Sequence, residues 1–168
     1  MSAEANRATI ERLYTAFAAR QPAVMAACYR PDATFSDPAF PGLVGPQVGA
    51  MWSMLLSREA KVWELVHSDV TADERTGSAS WTATYLYGGK RRVVNRIKSK
   101  FTFGDDGRIA TEVDDFDFHA WTSQALGWTG VLLGWTGFFQ RQVQAKARGQ
   151  LDAYIAKHPA AAASSSSS

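Results

Sequence analysis

Arg91-Arg92-Val93-Val94-Asn95-Arg96-Ile97-Lys98-Ser99-Lys100-Phe101-Thr102-Phe103 decides how the rest of the chain is read. Arg92, Arg96, Lys98 and Lys100 fall on even positions, and Val93, Asn95, Ile97, Ser99, Phe101 and Phe103 on odd ones. Side chains of a strand alternate between its two faces, so the odd face is the interior and the even face a solvated basic one. Residues 61–70, 78–87 and 108–119 also read as strands. The links between the four are Asp73-Glu74-Arg75-Thr76-Gly77, Gly88-Gly89 and Gly104-Asp105-Asp106-Gly107. Links this short imply antiparallel neighbours, because a parallel pair needs a long crossover.

Upstream the period changes to that of a helix. Ile10, Leu13, Tyr14, Phe17 and Ala18 make one apolar stripe over residues 6–20. Pro22 suits the first turn of a second helix through Val24, Met25, Cys28 and Tyr29, stopped at Arg30-Pro31. Residues 33–36 predict a brief strand. Residues 38–46, with three prolines and two glycines, predict a loop or edge strand. Pro46 opens a third helix carrying Val48, Met51, Trp52 and Leu55. Downstream, Phe139, Val143, Ala147, Leu151 and Ile155 step by four along a final helix over residues 138–157, with Gly149 inside it. Between strand and helix stand Gly127-Trp128-Thr129-Gly130 and Gly134-Trp135-Thr136-Gly137, whose glycines predict tight turns and close backbone approach. Residues 159–168 are low in complexity and expected to be a disordered tail.

Composition narrows the function classes. The 168 residues are 46% hydrophobic and 20% charged, with 18 basic and 16 acidic side chains and a net charge of +2. That is one folded domain, with too little positive charge to predict a nucleic-acid partner or a polybasic membrane anchor. No apolar run is long enough to span a bilayer and no signal-like segment opens the chain, so the expectation is a cytoplasmic protein. Cys28 stands alone and the three histidines are scattered without ligand spacing, so neither a disulfide, a metal nor a cofactor is expected.

Ala110, Glu112, Asp114, Phe116 and Phe118 share one face of the last strand; Thr111, Val113, Asp115, Asp117 and His119 share the other. The phenylalanines mark the first face as buried, which carries Asp114 inward. A carboxyl in an apolar wall is either a satisfied structural acceptor or an acid or base with a shifted pKa. Its expected neighbours on the adjacent strand are Asn95 or Ile97. His67 reads as a half-buried structural residue, and His119 as a residue on a solvated strand edge.

Three local signatures then give a resemblance: Ile10-Glu11-Arg12-Leu13-Tyr14, Phe35-Ser36-Asp37-Pro38, and Gly107-Arg108-Ile109 leading to Asp114-Asp115-Phe116-Asp117. In order and spacing they resemble the nuclear transport factor 2-like superfamily, in particular SnoaL-like proteins, ketosteroid isomerases and limonene epoxide hydrolases. The resemblance implies an α+β fold: a cone-shaped, curved antiparallel sheet packed on three N-terminal helices, with an extra C-terminal helix. It covers about residues 6–121, so the expected domain is 1–121, with 122–158 as a helical extension of the same domain. Tyr14 is similar to the oxyanion donor of the isomerases and Asp37 to their proton-shuttling base. Ser99, two residues before Phe101-Thr102-Phe103, stands where they carry a protonated aspartic acid. Asp114 is similar to one carboxylate of the epoxide hydrolases, without the arginine that precedes it there. Residues 78–87 also lack those enzymes' Arg-x-Asp.

Tyr14, Asp37 and Asp114 are therefore the candidate catalytic residues. Phe17, Trp52, Trp81, Tyr85, Asn95, Ser99 and Phe116 are the candidate ligand-binding ones. Aromatic walls with few polar groups suit a small, mostly apolar molecule bearing a carbonyl or hydroxyl. Two readings stay open: proton transfer of isomerase or cyclase type, and a non-catalytic binding or interaction module. A homodimer is expected, through a sheet face or the C-terminal helix, with the Trp128/Trp135 segment covering the cone mouth or a partner.

Overall fold

The computed structural model describes residues 2–57 and 63–159. Helix α1 (Ala3–Ala18) begins where the Ser2 side chain accepts from the Ala5 amide, and it buries Ile10, Leu13, Tyr14 and Phe17. Arg20, in the left-handed region at φ 56°, turns the chain into α2 (Pro22–Ala26), which has Pro22 in its first turn. Helix α2 ends earlier than its sequence predicts. Tyr29 belongs not to it but to strand β1 (Tyr29–Ser36).

The expected edge strand is β2 (Leu43–Val44), and Pro46 opens α3 (Pro46–Ser57). The four long strands follow as β3 (Trp63–Ala72), β4 (Thr76–Tyr87), β5 (Arg91–Phe103) and β6 (Ile109–Asp115). Residues 61–62 of the third predicted strand, and the tail from residue 160, lie outside the described residues. The β4–β5 hairpin closes through residues 88–90, with Gly88 and Gly89 at φ 58° and 72° and the Lys90 amide donating to the Tyr87 carbonyl at 3.2 Å; both positive φ values are ones glycine adopts freely.

The six strands form one curved, open sheet in the order β2-β1-β6-β5-β4-β3. It is mixed, not wholly antiparallel: β1 runs parallel to β6, with Phe35 opposite Glu112 and Ser36 opposite Val113. The long connection between β1 and β6, which carries the rest of the sheet, permits that pairing. Around Pro31, which has no amide hydrogen to give to a ladder, the β1–β6 register shifts. Helices α1 and α3 lie against the concave face, and the core forms between them and the odd-numbered residues of β5.

The final strand stops at Asp115. The alternation continues through Phe118 and His119, but Asp117 takes the N-cap position and accepts from the Ala120 amide at 2.9 Å. That starts α4 (Phe118–Leu126), followed by α5 (Trp128–Leu133) and α6 (Gly137–Lys157). His119 is thus helical, with its Nε2 at 3.2 Å from the Val131 carbonyl. Before Lys98, β5 has no partner on the β6 side, and α4 covers this gap. The Gln124 side chain accepts from the Val94 amide at 2.8 Å and donates to the Val94 carbonyl at 3.2 Å, as a strand residue would. Helix α6 packs on α3 with Leu151 fully buried, and Gln140 and Gln144 donate to the Pro38 carbonyl.

Candidate active site

At the centre of the sheet, β6 presents Glu112 and Asp114 on one buried face, and Asp114 stands directly opposite Ser99 of β5. Its strand neighbour is thus Ser99, not Asn95 or Ile97. β5 and β6 pair only from Lys98 onward, which puts Asn95 on a stretch that β6 never reaches. Ser99 Oγ donates to Asp114 Oδ1. The same Ser99 oxygen accepts from the Tyr14 hydroxyl at 2.8 Å and from Trp81 Nε1 at 2.9 Å. A parallel chain serves Glu112: Trp52 Nε1 donates to the Tyr29 hydroxyl at 3.0 Å, and Tyr29 donates to Glu112 Oε2. Four rings on α1, α3, β1 and β4 thus aim their donors, directly or through a hydroxyl, at two carboxyl groups on β6.

Two carboxyl groups in one dry site cannot both ionise cheaply. Burial pushes Asp114 well above the ordinary carboxylate range, and the charge of Glu112 adds to it. Burial also lifts Glu112, to about 7, against the lowering pull of its bonds from Tyr29 and Asp114. Burial therefore favours the protonated form of both carboxyls more than water does. Glu112 Oε1 is buried and has no hydrogen-bond partner among the described residues. Tyr14 is held far above its usual 10, by burial first and then by the two carboxylates, so it remains a donor at any physiological pH.

Asp37 faces the pair closely enough for its charge to raise both acids. It is part-buried at the end of β1, where Asp37 Oδ1 accepts from the Ala39 and Phe40 amides and caps the turn. Desolvation outweighs those two bonds and raises its pKa from 3.8 to about 6. Both bonds fall on Oδ1, so Oδ2 is the oxygen placed to take a proton.

The remaining candidates divide. Phe17 meets Trp52 at 4.8 Å and Trp81 at 5.3 Å between ring centroids, and all three are buried. They fill the interior around the acids. Tyr85, Asn95 and Phe116 are half-buried and lie toward α4: Tyr85 accepts from Trp121 Nε1 at 2.8 Å, and the Phe116 and Trp121 rings lie 6.4 Å apart. His67, as expected, is structural; it stacks on Tyr14 at 5.5 Å and reaches Glu11 at 2.8 Å. The sequence reading left Glu112 and Tyr29 out of the site. For Glu112 the signal was present, since it shares the strand face of Asp114. For Tyr29 the misread end of α2 hid it.

Residues 10–112 match the SnoaL-like domain. The chain belongs to the SnoaL-like family. Among solved structures, an LEH-like epoxide hydrolase of M. tuberculosis is similar over 78% of this chain and 97% of its own, with a TM-score of 0.63 at 19% identity. A Kribbella flavida protein described as a ketosteroid isomerase is similar over 68% of this chain and 79% of its own, with a TM-score of 0.55 at 18% identity. At such identities the likeness shows the fold, and function has to be argued from the site. No curated protein matches the sequence. The SnoaL-like match ends at Glu112, so Asp114 and helices α4 to α6 lie beyond it.

Proposed function

We propose that this SnoaL-like protein moves a proton on a small, mostly apolar molecule bearing a carbonyl, as an isomerase or cyclase does. The observation that carries this reading is the hydrogen-bond chain from Tyr14 through Ser99 to Asp114, with Asp37 facing it. Acids whose surroundings push their pKa values apart divide the roles of acid and base. Asp37, near 6, is ionised at neutral pH yet basic enough to take a proton from the carbon next to the carbonyl. The C–H electron pair shifts into the new C=C bond as the carbonyl oxygen gains charge. Asp114, still protonated, is the donor for that oxygen, and Tyr14, still a phenol, supports it through Ser99. Return of the proton from Asp37 to another carbon completes the isomerisation, with no net change in electrons.

The test needs no knowledge of the natural substrate. A panel of small cyclic ketones in D2O is followed by NMR for deuterium entering the carbon beside the carbonyl. Exchange faster than with heat-denatured protein, lost in Asp37→Asn and reduced in Tyr14→Phe, supports the reading. No acceleration with any ketone sinks it.

A second reading is favoured by one specific observation. The rings of Tyr14, Phe17, Trp52 and Trp81 occupy the interior, and two surface grooves among the described residues, of about 290 and 580 Å³, are lined by other residues. A module that binds a partner and catalyses nothing would keep this packing undisturbed. Native mass spectrometry of freshly purified protein separates the two, since a reproducible added mass of a small apolar compound requires that the interior opens.

A further inference from the structure

Residues 120–140 contain no Asp, Glu, Lys or Arg, and within them the structure turns an ordinary surface helix inside out. Gly130 and Gly134 face the body of the protein. A Cβ on Gly130 would collide with the Thr122 carbonyl, and one on Gly134 with the Thr122 hydroxyl. The large apolar side chains point the other way: Trp128 is 79% exposed, Trp135 74%, Phe138 66% and Leu132 64%. Val131 and Leu133 are exposed beside them. An apolar group of this density on a soluble surface marks a contact. Of the two expectations for this segment, the cone mouth and a partner, the first is not met, since both tryptophans stand exposed among the described residues.

The charges around the group indicate what does the covering. The Arg91 guanidinium lies against Gly127 at one end, and that of Arg141 lies 3.4 Å from where a Gly137 Cβ would stand at the other. From residue 118 to 159 the charged residues are Arg141, Lys146, Arg148 and Lys157 against Asp152 alone, an excess that the net charge of the whole chain conceals. The acids nearest in sequence, Asp115 and Asp117, precede α4, and Asp117 is engaged in its cap. Tryptophans, leucines and a phenylalanine on one side, rimmed by arginines, match the boundary of an anionic bilayer: indoles at headgroup depth, guanidiniums on lipid phosphates. A second copy fits less well. A two-fold contact would bring arginine rims together with no carboxylate to meet them.

We propose that the α5 segment, residues 128–138, docks this protein on the surface of an anionic lipid bilayer. It lies on the membrane and does not cross it; no helix among the described residues is long and apolar enough to do so. The test uses the full chain with vesicles of phosphatidylcholine alone or mixed with phosphatidylglycerol. The protein is expected to co-sediment with the mixed vesicles, less so as salt rises, with its tryptophan emission shifting to the blue. Trp128→Ser with Trp135→Ser should lower partitioning by roughly tenfold or more. Arg91→Gln with Arg141→Gln should remove the preference for the anionic mixture. Far-UV circular dichroism and Tm of these variants should be unchanged, since the substituted side chains are exposed; Leu132→Ser serves as a further probe of the same face. Absence of binding to either vesicle overturns the proposal. So does a dimer in velocity sedimentation that the paired serine variant dissociates, which would make a second copy the occupant.

Discussion

At the residue scale, the acids on β6 make opposite predictions for substitutions that look alike. Asparagine is the isostere of a protonated aspartic acid. In Asp114→Asn the amide can still accept from Ser99 and donate toward Glu112, so stability at pH 7 should stay within about 1 kcal/mol while proton transfer is lost. Ser99→Ala instead strips the acceptor from Tyr14 and Trp81 together and should cost on the order of 1–3 kcal/mol. Chemical denaturation of the two variants checks the contrast. The pH dependence has a definite sign. Asp37 rises from 3.8 to about 6 and Glu112 from 4.5 to about 7, so the folded chain holds protons that the unfolded chain releases. Their contribution to stability is greatest below about pH 4 and declines as the pH rises to about 7. Tm measured from pH 4 to 8 should show this decline, and Glu112→Gln should flatten its upper part; a stability rising across that range would contradict the assignment. Tyr14, Ser99 and Asp114 were legible in the sequence because period and local motif fix their faces. That they share one hydrogen-bond chain was not, because it depends on the β5–β6 register, which no residue pattern specifies.

Among the elements, glycines separate a replaceable position from required ones. A Cβ at Gly149 in α6 would meet nothing, and its backbone is helical, so Gly149→Ala should raise stability by about 0.5–1 kcal/mol. Gly130→Ala should do the reverse, forcing α5 off Thr122; thermal melts of the pair test both signs. Leu151→Ala removes the fully buried anchor of α6 and should cost about 2–5 kcal/mol, with earlier proteolysis in the segment after Ala120. The long strands were legible because each carries its own alternation and is bounded by turn residues. Two boundaries were not. Phe116 and Phe118 prolong the alternation of β6 by chance, while the chain obeys the Asp117 cap. Tyr29 continues the apolar spacing of α2, while its ring is drawn to Glu112 across the sheet. In both places an interaction remote in sequence or specific to a cap overrode a local period. The parallel pairing of β1 with β6 escaped for a related reason, since the antiparallel rule applies only to strands joined by short links.

For the whole molecule the open question is what meets the outer face of the sheet. Val66 on β3 and Val113 on β6 are exposed on it, 57% and 50%, and β5 adds the basic stripe Arg96, Lys98 and Lys100, with Lys100 directly opposite Val113. Unlike the α5 rim, this face carries both signs: Asp115 stands opposite Lys98, and Glu64 lies on β3. A two-fold contact can therefore bury the valines and the threonines between them while each basic stripe meets carboxylates of the other copy. We propose a homodimer through the sheet, separate from the face offered to lipid. Light scattering at micromolar concentration should then give twice the chain mass of 18.4 kDa. Val113→Arg should return it to the monomer by placing a charge at the centre of the contact, whereas Trp128→Ser with Trp135→Ser should leave the dimer intact. A monomeric mass for the unsubstituted protein would remove the sheet-face contact. A dimer lost only in the tryptophan variant would move the interface to α5 and end the lipid assignment with it.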